Sequence, residues 1–409
     1  MEQERLRLSE LGGVVLDYLL KNNPVSKADI CLGTGRSISA VTRYLQELCD
    51  AGLIEERGIG DSSGGRKPVL YAVNARRWYI CCVNVSTIYC EVAVVDLSLQ
   101  VLCFDRFDIQ AGDRPDDVVA RIGALYESQR RRCGLTPEQF LGAGVSVFSS
   151  VRNGQGVLYP PIIRYMNPLW EEYPLIPQLA SRLALPLYVE KGINAAAMLE
   201  YNYGRARGSA KSIYVLCAMN LRAAVIQNGQ IACSSPFYED AFGHMTIDFD
   251  GPRCQCGRYG CVNCYANIPA ILAAFRRAVK QGTRRSDLYD RADELDVYAV
   301  CRAAAGGDEA AVHAVQQAGD LLGIALANFI NLIGPDTVIL DGLLPHESRL
   351  YYERAVQSAK SRLMSTTPVV FEREGRFGNT ITIGAAAMLL ERVTHGIGPD
   401  PALPAPNRR

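Results

Sequence analysis

Four residues within one 18-position stretch carry donors suited to a soft or borderline metal ion: His244, Cys254, Cys256 and Cys261. Nine residues separate the first pair, one the second and four the third, and Gly257 and Gly260 let the chain turn tightly between them. One imidazole and three thiolates closing a tetrahedron make a structural zinc site with no open coordination position. Such a site performs no reaction; it fixes a loop and couples the shape of that loop to stability. The bland alternative is four unmetallated side chains, with the cysteines buried as small apolar groups. Cys264 competes for a ligand position. A second chemical group is the run Gly64-Gly65-Arg66-Lys67-Pro68. Its glycines let backbone approach a phosphate ridge or a minor groove, and Arg66 and Lys67 supply cations there.

The elements around that basic run form a recognisable frame. Leu8, Leu11, Val15, Leu16, Leu19 and Leu20 recur at helical spacing until Asn22-Asn23-Pro24 ends the run. Ser26 and Asp29 read as a capping-box start for a second helix, Lys27 to Leu32, and Gly33-Thr34-Gly35 turns the chain. Ser37 then caps a third helix with Val41, Tyr44, Leu45 and Leu48 on its buried face. That leaves Ser39, Ala40, Thr42, Arg43 and Gln46 for other surfaces. Strands Leu53–Glu56 and Val69–Val73 flank the glycine-rich loop as a wing. Three helices with a tight turn between the last two describe a helix-turn-helix that puts the start of its third helix into the major groove. The DNA-facing residues expected are Ser37, Ser39, Ala40, Thr42, Arg43, Gly64, Gly65, Arg66 and Lys67. A helical protein-interaction module with a glycine-rich linker is the alternative.

Bulk properties constrain the rest. A 409-residue chain with 48% hydrophobic and 21% charged residues is an ordinary globular chain of two or three units. The charged start MEQERLRLSELGG lacks the apolar centre of a signal peptide, and no run of about 18 apolar residues exists to span a bilayer. A soluble, cytoplasmic protein with no membrane partner is the expectation. The 14 cysteines mostly sit scattered in apolar stretches, as small core residues. Net charge is zero, so any contact with nucleic acid must be local.

Beyond residue 76 the segments YICCVNV, YCEVAVVDL and VLCFDRFDI read as a three-strand meander. Later strands LGAGVSVF, LPLYVEKG, SIYVLCAM and TVILDG alternate with helices, the pattern of an α/β fold. The run SISAVTRYLQELCDAGLIEERGIGDSSGGRKPVLYAVN resembles the DNA-binding end of regulators in the ROK family, which joins repressors, open reading frames and kinases. The pattern GHx9CxCGxxGC is similar to that family's zinc motif at every position, which favours Cys261 over Cys264. The resemblance covers nearly the whole chain. It implies a two-lobed, actin-like sugar-kinase (ASKHA) body behind the winged helix-turn-helix, with ATP and sugar meeting between the lobes.

The kinase residues of that family can be compared one by one. Phosphoryl transfer needs glycine turns whose amides reach phosphates, and a carboxylate to take the hydroxyl proton. Where the family has Asp-x-Gly-x-Thr, this chain has Asn84-Val85-Ser86-Thr87-Ile88; where it has Pro-Gly-Pro, this chain has Phe148-Ser149-Ser150. The adenosine-side Gly-Thr-Gly-x-Gly falls at Ala218-Met219-Asn220-Leu221-Arg222, and the catalytic Asp falls at Gly192. Losing a positioned base alone removes roughly two to four orders of magnitude in rate. Two sugar-binding Glu positions fall at Ala241 and Asn263. Lys191, Asn194 and His244 remain as candidate effector-pocket residues, while Glu190 and Lys191 also suit a structural role.

The expected protein is therefore a pseudokinase-bodied transcriptional regulator, a repressor by family habit, of carbohydrate-related genes. Its domains are placed at 1–75, 76–190 and 191–409, with a final helix near 384–395 packing back on the first lobe. Its partners would be double-stranded operator DNA, a sugar or sugar phosphate effector, and further copies of itself in a homodimer or tetramer. Long helices near Ala310–Leu332 and Gly384–Val393 are the expected interface. The rivals are a ROK sugar kinase retaining ATP-dependent phosphorylation, and a ligand-independent DNA-binding factor.

Overall fold

The computed structural model describes residues 9–59, 67–149, 151, 156–157, 168–232, 241–364 and 368–400. They fall into two compact units, one drawn from the chain up to Asn202 and from Asn379 onward, the other from Tyr203 to Gly378.

The first unit opens on α1 (Glu10–Asn22), capped by the Ser9 side chain, which accepts from the Gly12 amide. After β1 (Val25–Ser26), α2 (Lys27–Thr34) starts at a complete capping box: Ser26 accepts from the Asp29 amide and Asp29 from the Ser26 amide. The Ser26 hydroxyl, donating to the Asp29 carboxylate at 2.6 Å, and the Ser26 amide hold that carboxyl below its usual range. Gly35, in the left-handed conformation at φ 64°, makes the turn into α3 (Ile38–Asp50). Strand β3 (Val69–Val73) then sits between β1 and β2 (Ile54–Ile59), antiparallel to both. This is the winged helix-turn-helix read from the sequence.

A five-stranded sheet follows. Strands β4 (Tyr79–Val85), β5 (Tyr89–Asp96) and β6 (Val101–Asp108) form the antiparallel meander. Helix α4 (Pro115–Arg132) carries the chain to β7 (Phe140–Val147), which lies parallel to β4. Helix α5 (Leu175–Leu183) leads to β8 (Leu187–Lys191), parallel to β7, and α6 (Gly192–Tyr203) leaves it. The order is β6-β5-β4-β7-β8. Every residue of β4 and β7 is buried, as expected for strands covered on both faces.

The second unit repeats this plan. Strands β9 (Lys211–Cys217), β10 (Leu221–Gln227) and β11 (Gln230–Ile231) form its meander. Helices α7 (Asn263–Ala266), α8 (Ile268–Lys280), α9 (Val297–Ala305) and α10 (Glu309–Ile333) precede β12 (Thr337–Asp341). Helices α11 (Leu343–Glu347) and α12 (Arg349–Lys360) precede β13 (Val370–Arg373). The order β11-β10-β9-β12-β13 matches the first sheet position for position. In both sheets an antiparallel meander is extended by two parallel strands.

Helix α13 (Thr380–Thr394) returns to the first unit, against β4, β5, β7 and β8. The approach is close because the facing residues are small. A Cβ on Gly144 would strike the Ala385 carbonyl, and one on Gly384 would lie 2.5 Å from the Ala195 carbonyl oxygen. The other side of α13 receives α1, where a Cβ on Gly13 would strike the carbonyl oxygen of Thr394. Trp78 Nε1 adds a bond of 2.9 Å to the carbonyl of Ala51, tying the end of α3 to the start of the body.

Two expectations change. The break between compact units falls after Asn202 and not at residue 190: β8 pairs with β7, and α6, whose Ala195 backbone meets Gly384, belongs to the same unit. Helix α13 offers a partner less than its sequence suggests, since Ile383 through Leu390 are buried and only Glu391, Arg392 and Val393 of the expected interface stretch are part-exposed.

Candidate nucleic-acid interface and metal centre

The N-terminal half of α3 is exposed and well capped. Ser37 Oγ accepts from the Ala40 amide at 3.4 Å and lies 3.2 Å from Ser39 Oγ. Thr42 Oγ1 donates to the Ile38 carbonyl at 2.7 Å. Ser37, Ser39, Thr42 and Arg43 are exposed, and Ala40 is half-buried. Arg43 folds back on its neighbour: its guanidinium carbon sits 4.7 Å from the centre of the Tyr44 ring, and Nη2 donates to the Tyr44 hydroxyl. Below this surface Val41, Tyr44, Leu45 and Leu48 are buried, as the spacing predicts. Lys67 is exposed at the base of the wing; Gly64, Gly65 and Arg66 lie outside the described residues. Ile38, absent from the expected contact set, is 66% exposed beside them. Periodicity gave no warning of this, because Ile38, three residues before Val41 and seven before Leu45, falls beside the core stripe.

In the second unit His244, Cys254, Cys256 and Cys261 converge, with their donor atoms all within 4.8 Å of one another. Antiparallel bridges Thr246–Cys261 and Arg253–Tyr259 hold the loop in shape. Gly257 and Gly260 adopt positive φ of 89° and 64°, and a Cβ on Gly260 would strike the Asp248 carbonyl. Cys256 Sγ lies 3.7 Å from Cys261 Sγ, and Cys254 Sγ lies 3.5 Å from His244 Nδ1. A tetrahedral ion with sulfur at about 2.3 Å and nitrogen at about 2.05 Å has S···S edges of about 3.8 Å and S···N edges of about 3.5 Å. The donor set thus has both the chemistry and the spacing for a small tetrahedral cation. Cys264 Sγ lies 3.9 Å from the Pro252 carbonyl oxygen and, although next to Cys254, is not one of the four converging donors.

The positions compared with kinase residues have other occupations. In the first unit Asn84 Nδ2 donates to buried Glu91 at 3.0 Å, and Thr382 Oγ1 donates to the same carboxylate oxygen at 2.5 Å. Arg106 lies 3.7 Å from its other oxygen. This network clamps β4, β5 and the first turn of α13 together. Phe148 and Ser149 are buried. Gly192 opens α6, where an added Cβ would lie 2.9 Å from Cγ2 of Ile381. Of the effector candidates in this unit, Lys191 and Asn194 are both buried. Glu190 Oε1 accepts from the Lys191 amide at 2.8 Å and from Asn194 Nδ2 at 3.0 Å, a local cap on α6. In the second unit Asn263 Oδ1 accepts from the Leu221 amide at 2.8 Å, so this residue pins the β9–β10 turn. Asp240 and Ser150 lie outside the described residues.

Comparison with known proteins places these features. The sequence pattern of the ROK family matches residues 80–392, and a pattern described as winged helix-turn-helix DNA-binding matches residues 9–55. The chain is 25% identical over 381 residues to the xylose repressor of Caldicellulosiruptor bescii, covering 92% of this chain and 94% of that protein. It is 24% identical over 395 residues to the DNA-binding transcriptional repressor Mlc of Escherichia coli, covering 94% of each. A crystal structure of a ROK family transcriptional regulator, described as a homolog of E. coli Mlc, superposes with a TM-score of 0.79 at 25% identity, covering 95% of this chain and 97% of the other. The ROK hexokinase of Thermus thermophilus superposes at 0.61 with 21% identity, covering 76% and 97%, a likeness of fold alone. The chain is a member of the ROK family, with a winged helix-turn-helix ahead of a sugar-kinase-like α/β body.

Proposed function

We propose that this protein is a cytoplasmic repressor of carbohydrate-related genes that binds operator DNA through α3 and the wing. The observation that carries the reading is the exposed, capped start of α3, held on a buried stripe in the helix-turn-helix arrangement. The names of the relatives, which are repressors, agree with it. Ser37, Ser39, Ala40, Thr42, Arg43, Gly64, Gly65, Arg66 and Lys67 are the proposed contact residues. A two-fold pair of such heads, in a homodimer or a tetramer of dimers, suits a palindromic site. Among the described residues no helix is long and apolar enough to cross a membrane.

The body acts here as an effector and assembly module, not as a kinase. Gly192 offers no side chain to accept a proton, and Asn84 is committed to Glu91. Zinc is the proposed occupant of the His244, Cys254, Cys256 and Cys261 set, as a structural ion that rigidifies its loop. Lys191, Asn194 and His244 are the proposed effector-side residues, for a sugar or sugar phosphate.

Selection of bound genomic fragments tests the reading, run beside an assay for ATP-dependent phosphorylation of hexoses and amino sugars. Enrichment of a palindromic sequence without sugar phosphate formation supports it; turnover of ATP coupled to sugar phosphate, or no enriched duplex, overturns it. Thermal-shift screening with the same sugars identifies the effector, because a ligand at 100 times its dissociation constant adds about 2.7 kcal/mol.

A further inference from the structure

The start of α3 is less polar in use than its composition suggests. Ser37 spends its oxygen on the Ala40 amide, and Arg43 is stacked on Tyr44. Thr42 has given its hydroxyl proton to the Ile38 carbonyl, so it offers a groove no donor, only a methyl and an acceptor lone pair. Ile38 carries four side-chain carbons and no polar atom. It is two-thirds exposed where the rest of the helix buries its large apolar groups. Ile38 and Thr42 are four residues apart, so they share one face of the helix. The two features are independent: one is an exposed apolar side chain, the other a hydroxyl turned inward by a bond of its own.

In the major groove the thymine 5-methyl is the apolar feature of a base edge, and aliphatic side chains and threonine methyls meet it by contact. We propose that Ile38, seconded by the Thr42 methyl, is a specificity-determining residue that selects thymine in each operator half-site by apolar contact with its 5-methyl group. This inference rests on the DNA-binding reading above and adds to it a base, a groove and a contact type.

The test uses the full-length protein and the tightest duplex from the fragment selection. Each thymine is replaced singly by deoxyuridine, which lacks only the 5-methyl, and dissociation constants are measured at one fixed salt concentration. Burial of one methyl, at about 0.8 kcal/mol, corresponds to a loss of about fourfold. The expected result is a loss of that size at one or two positions per half-site, and its disappearance at those positions in Ile38→Ala. Ile38→Val should retain most of it. Thr42→Ser, which loses the methyl, should bind more weakly than the parent. Ile38 is exposed, so a circular dichroism spectrum and melting temperature matching the parent verify that Ile38→Ala is folded. The inference is overturned if every deoxyuridine duplex binds within twofold of the thymine duplex, or if Ile38→Ala keeps the full methyl effect. Failure to bind any duplex overturns the DNA-binding reading itself and is distinguishable from both.

Discussion

Replacing Glu391 with glutamine should flatten the pH dependence of stability in the first unit. Glu391 lies on α13 where α1 crosses it, and burial pushes its carboxyl up to about 7, with Lys21, His395 and Arg392 opposing that rise and Asp17 adding to it. In the unfolded chain the same group releases its proton near 4.5. Between those values the folded state holds the extra proton. The stability contributed is therefore complete below about pH 4.5 and is lost as pH rises through about 7. At 1.36 kcal/mol per pH unit the gap corresponds to a ceiling of about 3 kcal/mol, and partial exposure of the side chain lowers it. Both tryptophans, Trp78 and Trp170, belong to this unit, so urea unfolding followed by tryptophan fluorescence reports on it selectively. Measured at pH 5, 6 and 7, the parent should lose stability with rising pH, and Glu391→Gln should lose less. His395→Asn, made alongside, separates the carboxyl from the imidazole at the same contact. Parallel curves for parent and Glu391→Gln would refute the reasoning.

Three other outcomes are expected. Gly13→Val should destabilise the junction of α1 and α13 by about 1–3 kcal/mol, because the new side chain meets the Thr394 backbone, and Gly12→Ala, which meets only side-chain atoms of Ser9 and Glu47, should cost less in the same urea titration. Cys256→Ser should lower the melting temperature and make it insensitive to chelator, whereas Cys264→Ser should melt like the parent; identical melting of the parent with and without chelator would remove the metal. Arg66→Ala should weaken binding to all duplexes and reduce the slope of log affinity against log salt by about 1, as read by fluorescence anisotropy across a salt series.

Much of the local structure was legible in the sequence because it is written in neighbouring residues. Ser26 and Asp29 announce a helix start three positions apart, and both reciprocal bonds form. The apolar runs at 79–96 predict strands, and β4 and β5 follow them. The four donors of the metal set converge because a short, glycine-turned loop leaves them little room to part. What escaped notice depends on contacts distant in sequence. Strand β10, with Arg222, Ala223 and Ala224 at its start, lacks a strong β pattern and is fixed by pairing with β9. The engagement of Asn84 with Glu91 and Thr382 spans nearly 300 positions, so no local signal marks it. Ile38 is hidden for a different reason: its spacing groups it with Val41 and Leu45, and only the end of the packed core at the start of α3 leaves it exposed.

Helix α13 gives the first unit an unusual order of assembly. It is translated only after the whole of the second unit, yet it covers the first sheet and seats α1. On the ribosome, then, the DNA-reading head and the strands beneath it must wait, incompletely covered, until more than 170 intervening residues have been made. A nascent chain stalled before Thr380 would hold the head through the Trp78–Ala51 bond but without the α1–α13 contact. Seating α1 on α13 thus comes only after the second unit has been made.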